Sequence, residues 1–174
     1  SLVAEVNEQM EGYYLYRVVP PILGFIDHLT NWYIRRSRRR FWRTASTMDE
    51  RLDKAAAYAT LYDSLVTFAK VLAPVMPFIS EALYQNLVVE TGQVEGSQDS
   101  VHLCDYPEVD STQIDRSLED ALGIVRQIVS MGRALRERHR LKTRQPLSRV
   151  TIVHHDPAVI EAVGAHESLI MDEL

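Results

Sequence analysis

Apolar positions in the first half of the chain recur at three- and four-residue steps, the period of an α-helix and not of a strand. Residues 3–17 read as an amphipathic start interrupted by Gly12. Pro20 and Pro21 suit the first turn of a second helix, because proline lacks the amide hydrogen that a helix interior uses. From there Ile22, Ile26, Leu29 and Tyr33 fall on one face. Thr47 and Glu50 have the spacing of a capping box. The helix they open carries one stripe of Leu52, Ala55, Ala59, Tyr62, Val66 and Ala69, and beside it a second of Tyr58, Leu61, Leu65, Phe68 and Leu72. A face that broad is expected to be buried against two neighbours, as in a bundle.

Pro74 and Pro77 end this helix, and a shorter one is predicted from Phe78 to about Glu90, with Gly92 as a left-handed stop. Residues 92–116 are rich in turn formers and read as one long loop. A fifth helix is predicted from about Ser117 to Arg138, with Ser117 as candidate cap and Leu118, Leu122, Val125, Val129 and Leu135 on its apolar side. The character changes after Pro146: residues 150–153 are β-branched and predict a short strand, and Asp156-Pro157 predicts a helix start with Asp156 as N-cap. A lone strand and helix make no stable unit, so the chain is expected to be a piece of a longer one.

The formal net charge of −5 conceals two basic windows. Arg35, Arg36, Arg38, Arg39, Arg40 and Arg43 lie within nine residues, and Arg133, Arg136, Arg138, Arg140, Lys142, Arg144 and Arg149 within seventeen. Together they hold 13 of the 19 basic residues and a single acid, Glu137. An acidic body with two basic stripes suits a polyanion at one place and repels it elsewhere. No stretch approaches the roughly 18–20 apolar residues of a membrane span, and the start lacks the charge and apolar pattern of a secretory signal. One cysteine, Cys104, precludes an internal disulfide and fits a reducing compartment; zinc frameworks need clustered ligands that are missing. A cytoplasmic, metal-free chain is expected. No nucleophile motif or phosphate loop is present, and His154 and His155, on a strand, would face opposite ways. No catalytic residue is assigned.

On a straight helical wheel, with Ile22, Ile26, Leu29 and Tyr33 inward, Arg35 points nearly opposite. Asn31 and Arg38 also face out, Arg39 lies on the outer flank, and Trp32 and Arg36 sit at the borders. Arg40 would point inward, so the helix is expected to end near residues 38–40. Arginine offers a planar fork for phosphate oxygens and a flat face for unpaired bases, and Trp32, Tyr33, Phe41 and Trp42 interleave with the arginines. Tyr33 is expected in the core and Trp42 to pack and not stack. The second stripe, Arg133, Arg136, Arg140, Lys142 and Arg144, has three open readings: phosphate contacts, neutralisation of the acidic body, or docking of another domain.

The segment NWYIRRSRRRFW resembles the signature helix of isoleucyl-tRNA synthetases, a class I aminoacyl-tRNA synthetase family, and MEGYYLYRVVPPILGFIDHLTNWYI resembles the lead-in helices of its eukaryote-like branch. LAPVMPFISEALYQNL is similar to the A-P-x-x-P-F motif shared with valyl and leucyl enzymes. SVHLCDYP and GRALRERHRLKTRQPLS resemble later segments of the family. The resemblance covers residues 1–155. It implies an all-α helical bundle over residues 1–146 that binds the anticodon stem and loop of isoleucine tRNA, followed over 147–174 by the beginning of a small mixed α/β unit. It implies RNA contact or support by Asn31, Trp32, Arg35, Arg36, Arg38, Arg39 and Arg40. It places the HIGH and KMSKS motifs, ATP and Mg2+ in a catalytic domain of the same, monomeric parent, leaving no cofactor here. The alternatives are the same domain of a valyl- or leucyl-type enzyme, or a protein-docking bundle whose basic helix meets an acidic partner.

Overall fold

Caps, prolines and reversed backbone positions set the helix boundaries in the computed structural model, which describes residues 1–174 except Gln93, Glu95 and Thr143, and Gln113 by its backbone alone. The described residues form two units, Ser1–Asp110 and Ser111–Leu174.

In the first unit, helix α1 (Leu2–Glu11) closes in a Schellman turn: Tyr14 N donates to Gln9 O at 2.9 Å and Tyr13 N to Met10 O at 3.1 Å. The left-handed position is Tyr13 (φ +58), not Gly12 (φ −78). At Gly12 the Tyr14 ring lies close, and an added Cβ would meet it at 2.7 Å unless the ring moved aside. Helix α2 (Val19–His28) has Pro20 and Pro21 in its opening turn, as the sequence predicts. It passes through a π-helical segment (Leu29–Ile34) into α3 (Arg35–Trp42) without a break.

The Thr47 capping box forms and opens α4 (Met48–Leu72): Glu50 N donates to Thr47 Oγ1 at 3.2 Å, and Thr47 N to Glu50 Oε2 at 3.3 Å. The two predicted stripes of α4 enter two different cores. Phe68, Val71 and Leu72 pack with Val3, Val6, Val18 and Ile22, and the Phe25 ring stacks on Phe68 at 5.0 Å. Tyr62, Val66 and Ala69 pack instead with Tyr84, Val88 and Val101. Towards the start of α4 the stripes are not covered, for Leu52 is 59% and Tyr58 49% exposed. Ile26 likewise stands at the surface, and Phe25 takes its expected place in the core.

Helix α5 (Pro77–Tyr84) continues through a second π segment (Gln85–Val89) to the left-handed Gly92 (φ +59), the expected stop. Its Glu81 anchors the following loop, accepting from Ser100 Oγ at 2.9 Å and Val101 N at 3.0 Å. Burial, with the Cys104 side chain beside it, pushes the Tyr84 phenol up to about 12.

In the second unit, α6 (Arg116–Arg138) is capped by Asp115, which accepts from Leu118 N at 3.0 Å, and not by Ser117. It buries Val125, Ile128 and Val129, while Leu118 and Leu135 are exposed. Its end is again a Schellman turn: Arg140 (φ +56) occupies the left-handed position, with Leu141 N donating to Arg136 O at 2.8 Å and Arg140 N to Glu137 O at 2.9 Å. Helix α7 (Pro157–Ala165) starts as predicted on the Asp156 cap, which accepts from Ala158 N at 2.9 Å. Helix α8 (Glu167–Glu173) buries Ile170.

Every regular element among the described residues is helical, as expected of a helical bundle. The strand predicted over residues 150–153 is not formed. A strand is completed by a ladder of hydrogen bonds to a neighbour, and no second extended segment of the described residues supplies one. The mixed α/β character expected after residue 146 is therefore not seen in this chain.

Candidate nucleic-acid interface

The basic helix is built around one departure from α geometry. In the π segment the Arg35 amide reaches back to Thr30 O, widening the turn to admit an extra residue. Side chains serve the carbonyls around it: Thr30 Oγ1 donates to Ile26 O at 2.7 Å, and Arg35 Nε to Asn31 O at 2.7 Å. Ser37 takes the buried place, and Arg36, a border position on a straight wheel, stands exposed.

Beyond the bulge, Arg35, Arg38, Arg39 and Trp42 follow one another at i, i+3, i+4 and i+7, which is one face of an α-helix. All four are exposed. The opposite face is fastened to α4. Tyr33, expected in the core, is only half-buried and donates its hydroxyl to Ala57 O at 2.9 Å. The Phe41 and Tyr58 rings lie 4.9 Å apart, and Lys54 Nζ donates to Arg43 O at 3.1 Å.

Arg40 does turn inward, but α3 does not end there to release it: the helix runs on to Trp42. The guanidinium reaches Asp53, with Nε 3.0 Å from Oδ2, Nη2 2.7 Å from Oδ1 and 2.9 Å from the backbone carbonyl. Asn31 is exposed, with its amide donating to Asp27 Oδ1 at 2.5 Å, and Trp32 is half-buried.

The second stripe separates into two kinds of residue. Arg133 pairs with the buried Glu173. Arg136 is 6% exposed, and its guanidinium donates to Gln145 O at 3.0 and 2.9 Å and to Leu174 O. Arg140, Lys142 and Arg144 are exposed. His154 and His155 share no strand, and their rings stack at 4.5 Å instead of facing apart. Among the described residues there is no cluster of three potential metal ligands, and no helix long and apolar enough to cross a membrane.

The model of a protein family described as the anticodon-binding domain of tRNA ligase matches residues 1–152. The chain belongs to this family. The anticodon-binding domain is also similar, along all 174 residues, to isoleucine–tRNA ligases of Chlamydia abortus at 44% identity, Chlamydia caviae at 45% and Chlamydia trachomatis serovar L2 at 47%. It spans 16% of the length of each of these relatives.

Within this anticodon-binding domain the helix charges are unequally committed. Arg40 is held by Asp53, and Arg43 lies 3.5 Å from Glu50. Among the described residues no carboxylate pairs with Arg38 or Arg39. Trp42 departs from expectation: instead of packing, it is 81% exposed. The spacing from Arg35 was the signal that could have found it, since seven residues are two helical turns and Arg35 already faces outward on the straight wheel.

Proposed function

We propose that this domain holds the anticodon stem and loop of isoleucine tRNA for an isoleucine–tRNA ligase. Aminoacylation, with its ATP and Mg2+, would belong to a catalytic domain of the same monomeric, cytoplasmic enzyme. The observation that carries the reading is the exposed face of Arg35, Arg38, Arg39 and Trp42, set in a chain similar throughout to isoleucine–tRNA ligases. A rigid helix presenting guanidinium groups can engage successive phosphates while its anchored side keeps their register. On this reading Arg35, Arg36, Arg38 and Arg39 meet the RNA backbone, Asn31 and Trp32 border them, and Arg40 supports the surface from beneath. Arg140, Lys142 and Arg144 make a second backbone contact, while Arg133 and Arg136 hold that region together. We take residues 1–146, all within the family match over 1–152, as the binding domain and 147–174 as part of a following unit; the compact units of the fold divide earlier, at Asp110.

The test is a titration of the chain with the isoleucine tRNA anticodon stem–loop and with an unrelated stem–loop. Preference for the first is expected, with the binding constant falling steeply with salt, at a log–log slope of about −5 to −6 if each of the proposed backbone contacts neutralises one phosphate. Arg38→Glu combined with Arg39→Glu should abolish binding and leave the circular dichroism spectrum unchanged. Equal affinity for both hairpins would reject the assignment to isoleucine tRNA. A salt-sensitive complex with an acidic protein, and none with RNA, would favour the docking alternative.

A further inference from the structure

Trp42 is the one aromatic of the basic helix that the fold leaves open, at 81% exposure among its described neighbours. Its neighbour Phe41 shows that packing is on offer at this end of α3, since that ring rests on Tyr58. The helix stops directly after Trp42, where Arg43 turns to extended backbone (φ −64, ψ 135), so the indole stands at the rim of the arginine face. Exposing an indole forgoes the stabilisation its burial would bring. An indole flanked by guanidinium groups is what an unpaired base requires: a flat apolar surface to stack on, beside cations for its phosphate.

We propose that Trp42 is a base-stacking residue, taking an unpaired base of the RNA whose phosphates Arg38 and Arg39 engage. This rests on the RNA-binding reading above and adds to it a contact with a base. A fully paired RNA offers no such base, so the contribution of Trp42 is confined to single-stranded positions.

Three chains decide it: the wild type, Trp42→Ala and Trp42→Phe, each titrated with the anticodon stem–loop and with a continuous RNA duplex of equal charge. Trp42→Ala is expected to weaken stem–loop binding by about 5- to 100-fold, with the salt slope unchanged because no charge is removed. Trp42→Phe should recover much of the loss, and neither variant should alter duplex binding. Indole fluorescence should be quenched by the stem–loop more strongly in the wild type than in Trp42→Phe, and in neither by the duplex. Unchanged stem–loop affinity in Trp42→Ala, with Arg38→Glu combined with Arg39→Glu still abolishing binding, would overturn the stacking role and leave the RNA-binding reading intact. Equal weakening on stem–loop and duplex would also overturn it. A wild type that binds neither RNA would sink the underlying reading itself.

Discussion

Arg40 and Asp53 are joined by two side-chain contacts, at 3.0 and 2.7 Å, and by a third from the guanidinium to the Asp53 carbonyl at 2.9 Å. One of the six arginines in the first basic window therefore serves the packing of α3 on α4. Both side chains are partly solvated, so the pair is worth less than a buried one, about 0.5–1 kcal/mol. Arg40→Ala, which also loses the carbonyl contact, is expected to cost about 1 kcal/mol and lower Tm by about 2–4 °C. Arg38→Ala should stay within about 0.5 kcal/mol of wild type. Thermal melts of the two variants make the comparison, and equal melting points would contradict this division of labour.

The division was only half legible in the sequence. The 3.6-residue period delivers the two stripes of α4, because Phe68 and Leu72 on one side and Val66 and Ala69 on the other depend on nothing but regular geometry. The Thr47 cap and the α2 prolines are equally local. The π segment is not, since nothing in the hydrophobic pattern announces the bonds of Thr30 and Arg35 that accompany it. It accompanies the exposure of Arg36, a border position on the straight wheel, while Arg35, Arg38 and Arg40 keep the directions that wheel gives them. The burial of Arg136 was not legible for another reason: a basic residue goes inside only when carbonyls such as that of Gln145 converge on it, and such convergence is tertiary. The strand over residues 150–153 failed in the same way, for want of a partner.

Thr47→Ala removes one half of the capping box and should destabilise the first unit by about 1 kcal/mol. Thr47→Ser, which keeps the hydroxyl, should cost much less. The Glu50 carboxyl is held below the usual glutamate range chiefly by the Ser46 and Thr47 amides, with Arg43 adding to them. Chemical denaturation of the three chains at neutral pH provides the measurement. Equal midpoints for the Ala and Ser variants would mean that the hydroxyl does not cap α4.

Glu81 supplies an acid-sensitive clasp between α5 and the loop at Ser100. Hydrogen bonds from Gln85, then Ser100 and Val101, with His102 close by, hold its carboxyl below the usual range. A carboxyl more acidic in the folded state stabilises that state above its unfolded pKa. The contribution is lost as pH falls through the folded value. Wild type should therefore lose stability below about pH 4.5, the ordinary value for glutamate, and Glu81→Gln should show a flatter acid limb. Denaturation midpoints from pH 6 to pH 3 give the two curves, and parallel curves would remove Glu81 from the acid response.

Arg140 sets stability against a possible contact. It holds the left-handed position of the turn after α6 at φ +56, where a side chain carries a steric penalty that glycine avoids. Both backbone bonds of the turn survive substitution, so Arg140→Gly should stabilise the second unit by about 1 kcal/mol, less whatever glycine loses in unfolded-state entropy. Arg140→Ala should give no such gain, since it keeps the Cβ. If Arg140 also meets RNA, as its exposure allows, the glycine variant would be more stable and yet bind the stem–loop less tightly, with a salt slope shallower by about 1. Calorimetry and salt-dependent titration of the two variants separate the effects. A glycine variant no more stable than the alanine one would show that the reversed backbone is not strained, whereas an unchanged slope would take Arg140 out of the proposed interface.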